Sequence, residues 1–67
     1  MKRSKGWMLQ LEREALAVAY VLEREWDEDA TDRVMAIREA YIHEDYTALA
    51  DWRDNLQLRL AERRAGV

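Results

Sequence analysis

The sequence predicts an all-α fold, a small three-helix bundle, and three observations carry the prediction. There is no proline, and the only glycines, Gly6 and Gly66, sit near the chain ends. The long interior therefore holds neither of the residues that most disfavour helices. Ala, Leu, Glu and Arg dominate that interior, and all four are good helix formers. Apolar residues recur at intervals of three and four, and Val, Ile and Thr are scattered rather than clustered as in strands.

Residues 1–6 read as a short basic, flexible tail carrying Lys2, Arg3 and Lys5, and residues 7–67 as one helical domain. The first helix is expected over about 7–26. Its main stripe is Met8, Leu11, Ala15, Val18 and Leu22, a heptad-like seam widened by Trp7, Ala19 and Trp26. A second stripe, Leu9, Leu16 and Tyr20, lies about 100° around the helix, and Val21 falls off both. One stripe serves one neighbour, so two stripes predict two. Glu12 and Glu23 border the second stripe and Arg13 and Arg24 lie on its far side, so an antiparallel two-fold pairing is expected to bring opposite charges together.

The next segment, Asp27 to Asp32, has no core candidate except Ala30. Its crowded carboxylates would repel one another within a continuous helix, which favours a break. Asp29 or Thr31 is placed to cap the second helix, expected over about 30–43, with Asp32 in its positive first turn. That helix carries Ala30, Val34, Ile37 and Tyr41 on one stripe and Met35 and Ile42 on a stripe beside it. A phase change at His43 to Thr47 marks the next turn, with Asp45 or Thr47 as N-cap. If no turn forms there, the second and third helices fuse and the fold becomes a helical hairpin. The third helix, over about 46–64, turns Leu49, Trp52, Leu56 and Leu60 inward. Arg59, Arg63 and Arg64 suit its negative end, and Gly66 stands just beyond. All three tryptophans fit the inner stripes of their helices.

Ala40-Tyr41 through Asp45-Tyr46 to Leu49 resembles the helix–turn–helix junction of tetratricopeptide repeats, in which a Gly-Asp-Tyr turn joins two antiparallel helices. Glu44 stands where that glycine belongs, Leu49 replaces a small residue, and the repeat period does not recur. The resemblance implies a tight turn near Asp45 and nothing about family.

Catalytic and metal chemistry find no support in the residues. His43 is the single histidine, and its one nearby carboxylate, Glu39, makes two ligands where zinc needs three or four; there is no cysteine. His43 also falls opposite Val34 and Ile37, on the solvated side. Asp27, Asp29 and Thr31 imitate the start of a calcium loop, but its sixth and twelfth positions hold Asp32 and Arg38 instead of Gly and Glu. Without a glycine-rich loop there is no phosphate cradle, and Ser4 has no histidine or acid in a recognisable motif around it. No enzyme, cofactor, metal or small-molecule substrate is expected.

What remains is interaction. A core from 67 residues supplies only about 3–5 kcal/mol, and without cysteine no disulfide can reinforce it. A homodimer or a protein partner is the remaining support, in a small adaptor or regulator of the kind found among phage and bacterial accessory proteins. Trp7, Leu9, Leu16, Tyr20 and Leu58 are the candidate partner-binding residues. Leu58 interrupts an outward strip of Asp51, Asp54 and Glu62, which calls for a basic partner. The alternative is a small DNA-binding regulator using a helix-turn-helix and the basic tail. A net charge of −3 and that acidic strip weigh against nucleic acid. The longest apolar run, Ala15 to Leu22, is far short of the roughly 20 residues that span a bilayer. With no cysteine framework and no visible signal peptide, a cytoplasmic location is expected. If no ion is needed, a chelator will leave the thermal midpoint unchanged; a fall of several degrees would reveal a bound metal.

Overall fold

The computed structural model describes residues 5–66, and three helices account for most of them: α1 (Lys5–Trp26), α2 (Thr31–Ile42) and α3 (Tyr46–Arg64). Of the basic tail, residues 1–4 lie outside the described residues. Lys5 and Gly6 belong to the first turn of α1, which starts two residues earlier than the apolar pattern indicates. The second and third helices are separate, so the bundle and not the hairpin is formed.

α1 is the spine, and it packs more extensively on α3 than on α2. Its buried seam is Met8, Leu11, Ala15, Ala19 and Leu22; α2 contributes Ile37 and Ala40, and α3 contributes Leu49 and Leu56. Ala30, just before α2, completes the core. Ala19 takes the fully buried place expected of Val18, which packs against the core from its flank. Four of the core side chains are alanines, and so small a residue lets helix backbones approach closely. Among the described residues the large, fully buried side chains are Leu11, Leu22, Ile37 and Leu49. Truncating any one of them to alanine costs about 2–5 kcal/mol, comparable to the whole stability of a core this size. Trp26 and Trp52 lie half-buried against the core, as their phase implies.

The helix ends explain why the chain turns where it does. At the end of α1, Asp27 takes a left-handed conformation, φ 59°. Its N–H donates to the Glu23 carbonyl at 3.0 Å, closing the helix with an αL cap. At the start of α2 the N-cap is Ala30, without a side-chain cap bond, and not Asp29 or Thr31 as expected; Asp29, one residue earlier, accepts the Thr31 N–H at 2.9 Å. The Ala30 N–H is taken by the Glu23 carboxylate at 3.2 Å.

The α2–α3 turn is a Schellman motif. The Asp45 N–H reaches the Ala40 carbonyl at 2.8 Å and the Glu44 N–H reaches the Tyr41 carbonyl at 3.1 Å. Glu44 occupies the left-handed position with φ 54°, where a glycine would be at no steric cost. Asp45 then caps α3, its carboxylate accepting the Ala48 N–H at 3.1 Å.

Two substitutions test this turn in opposite directions. Glu44→Gly relieves the left-handed strain and is expected to stabilise the chain by up to about 1 kcal/mol. Asp45→Ala removes the cap and is expected to cost about 1 kcal/mol. Midpoints of urea unfolding report both. Equal or reversed shifts would mean that the turn is not held this way.

Candidate functional site

The side chains that could carry function sort onto the two sides of α1. On its α3 side they are consumed by the fold. The Trp7 ring stacks on Tyr46 with centroids 4.5 Å apart and planes 22° apart, pinning the start of α1 to the start of α3. Glu14 accepts from Arg53 of α3 at 3.2 Å and from Gln10 at 2.9 Å, and Arg53 also holds Asp54. Trp7 is 42% exposed, yet its stacking role gives it work within the chain that the sequence alone did not reveal.

In the acidic segment between α1 and α2, Asp27, Asp29 and Asp32 are exposed and, of the acids, Glu28 alone is drawn in. Glu28, only 11% exposed in its side chain, receives three arginines. Arg63 donates from Nε at 2.6 Å, Arg33 from a terminal nitrogen at 3.1 Å and Arg59 from Nε at 3.4 Å. One carboxylate thus ties the first turn to the beginning of α2 and the end of α3. Loss of surrounding water raises its pKa, and the bonds from Arg63, Arg33 and Arg59 outweigh that, holding it at about 2. A carboxylate so fully engaged is structural, with no proton to give near neutrality.

On the α2 side of α1 the surface is open and apolar. Leu9 and Leu16 are half-buried, Leu16 packing against the core, and Tyr20 is 49% exposed. From α2 come half-buried Val34 and Tyr41 and, beyond them, Met35 and Ile42 at 64% and 68% exposure. One hollow of about 250 Å³ is bounded by Tyr20, Glu23, Ala30, Thr31, Val34 and Met35. Another, of about 100 Å³, lies between Met8, Tyr41, Ile42 and Glu44. Together they place Tyr20 level with Val34 and Met35, and the α1 start level with Tyr41 and Ile42. Both hollows are open and smaller than the roughly 300–1,000 Å³ of a small-molecule site. The face suits a macromolecular surface better than a substrate.

The predicted residues are therefore only partly brought together. Leu9, Leu16 and Tyr20 share this face. Trp7 lies on the other side of α1, and Leu58, 60% exposed, stands on the outer side of α3. Met35 and Ile42 belong to the face and were not singled out, although their seven-residue spacing off the main α2 stripe was the signal. His43 and Glu39 are joined by a 3.0 Å contact between two exposed side chains. Among the described residues no group of three or more His, Cys, Asp or Glu could hold a metal ion, and no helix is long and apolar enough to cross a membrane. Comparison with protein-family models, with curated proteins and with solved structures finds no match for this chain.

The Glu28 cluster has a pH signature. Its folded pKa, about 2, lies below the ordinary value of 4.5, so its stabilisation is fully present above about pH 4.5 and is lost as pH falls toward 2. Glu28→Gln should therefore destabilise the chain by about 1–3 kcal/mol near pH 7, and the gap to wild type should close over that acid range. A gap unchanged on acidification would show that the carboxylate charge is not what binds the three arginines.

Proposed function

We propose that the chain is a small, non-enzymatic protein-interaction module, an adaptor or regulator that works by binding a protein partner through the α1–α2 face. The observation that carries this reading is the distribution of exposed apolar side chains. Of the five large hydrophobic residues that stand exposed among the described residues, Tyr20, Met35 and Ile42 share one face, with Leu9, Leu16, Val34 and Tyr41 half-buried between them. Exposed apolar side chains gathered on one face mark sites of association, whereas single exposed residues such as Leu58 need no explanation. A cysteine-free chain is at home in the cytoplasm.

The DNA-binding reading draws less support. On α3, the helix that a helix-turn-helix would use for recognition, Asp51, Asp54 and Glu62 are exposed, and Arg53, Arg59 and Arg63 are engaged by carboxylates. Tail residues Lys2 and Arg3, which that reading requires, lie outside the described residues.

Site-specific photocrosslinking in cells tests the proposal. A photoreactive side chain at Met35 or Ile42 should give discrete protein adducts, and one at Gln57 or Leu58 on α3 should give none. Adducts equally frequent on both faces, or absent from the α1–α2 face, would overturn it.

A further inference from the structure

We infer that the occupant of the α1–α2 face is a second copy of this chain, related by a two-fold axis parallel to α1, so that α1 of each copy lies over α2 of the other. The inference rests on the proposed reading of this face as a docking surface and adds what docks there. Its first support is the charge pattern. Glu12 borders the face on α1 and Arg38 lies on α2 between the Val34–Met35 and Tyr41–Ile42 pairs. The two hollows fix the level of the helices at either end, with Tyr20 beside Val34 and Met35, and Met8 beside Tyr41 and Ile42. Glu12, about 6 Å along α1 from Met8, and Arg38, about 5 Å along α2 from Tyr41, therefore fall at similar levels on opposite helices, nearer the Met8 end of the face. Neither forms an ion pair or side-chain hydrogen bond among the described residues, whereas Glu14, Glu28, Arg33, Arg53, Arg59 and Arg63 all find partners within the chain.

A two-fold parallel to the helices preserves level and exchanges the helices. It brings Glu12 of each copy to Arg38 of the other, twice, and sets Tyr20 over Val34 and Met35 and Leu9 over Tyr41 and Ile42. Each overlying pair of helices runs antiparallel. The contact is isologous, as a closed dimer requires. The antiparallel pairing of α1 with itself that the sequence pattern first implies does not work as well. A two-fold perpendicular to α1 lays each flank of the helix on its own copy, so the edge bearing Glu12 and Glu23 meets the same edge, like charge on like.

Size sets the strength. The 12 residues of α2 run about 18 Å and the 22 of α1 about 33 Å, so with helix axes some 9 Å apart the face is two helices wide over about 18 Å and one helix wide beyond. That makes on the order of 450 Å² per partner, smaller than the roughly 800 Å² of a standard interface, which fits a concentration-dependent dimer and not a permanent one. The chain also has the marginal core for which a second copy is a common remedy.

Sedimentation equilibrium of the purified full chain, from low micromolar to near-millimolar concentration, should give a dimer mass. Met35→Glu and Ile42→Glu should each raise the dimer dissociation constant by roughly tenfold or more, with helicity by circular dichroism unchanged because both side chains stand in water in the single copy. Leu58→Glu should leave the constant unaltered. Glu12→Arg and Arg38→Glu should each weaken the dimer by about tenfold, and the double exchange should recover most of the loss. A monomer mass throughout, full assembly of Met35→Glu, or a double exchange no better than the single ones would overturn the inference. A monomer that still gives face-specific crosslinks to another protein would sink the second copy and leave the docking face standing; loss of both would remove the two together.

Discussion

α2 is the element on which the proposed docking face depends, and one carboxylate fastens its beginning to the rest of the bundle. The helix is short and contributes two buried side chains, Ile37 and Ala40. A 12-residue helix has little stability of its own in water, so its position comes from what it is fastened to. Glu28 fastens its beginning, through Arg33, to the same oxygens that hold Arg59 and Arg63 of α3. The Schellman turn at Glu44 fastens its other end. Between these two points α2 lies against α1 along part of its circumference, and the remainder is the open face. Stability and the candidate site are thus set by the same two anchor points.

The asymmetry of the bundle follows from how α1 divides its surface. Its core seam and its α3 side are served by apolar packing, the Trp7–Tyr46 stack and the Glu14–Arg53 pair. The second stripe, Leu9, Leu16 and Tyr20, meets a helix roughly half as long, whose own apolar residues spread over more than one side. Leu16 is drawn into the core's edge while Tyr20 remains near half exposed. A bundle of three equal helices would cover that stripe. Here the short α2 leaves it as surface.

Much of the fold was legible because it is local. Helical periods, the absence of proline, the Asp45 cap and the glycine beyond α3 act over a few residues, and each appears where the pattern placed it. Even the left-handed residue at the α2–α3 turn was signalled, since Glu44 stands where a related junction carries glycine. What escaped was non-local. Glu28 sits in a run of acids, and its partners Arg59 and Arg63 lie 31 and 35 residues further on. No spacing rule connects them, although the excess of arginine over lysine hinted at ion pairs with fixed geometry. Trp7 read equally well as an anchor for a partner, because its stacking on Tyr46 depends on where α3 begins. Of the face, the α1 half was visible as a stripe. The α2 half was visible too, as the Met35–Ile42 stripe, but that it lies beside the α1 stripe follows only once α2 is laid next to Tyr20.

Asp27 and Glu44 hold both chain reversals in the left-handed conformation, which costs a long side chain such as that of Glu44 about 1–2 kcal/mol and the short side chain of Asp27 less. In a chain with only a few kcal/mol in hand, that cost governs lifetime as well as shape. The fraction of molecules open at any instant scales exponentially with the stability forgone, and open molecules are the ones a protease can cut. Whatever occupies the native surface lowers that fraction by mass action. If the α1–α2 face is occupied as proposed, the two strained turns would make the abundance of this chain sensitive to that occupancy, with bound molecules persisting and solitary ones cleared first.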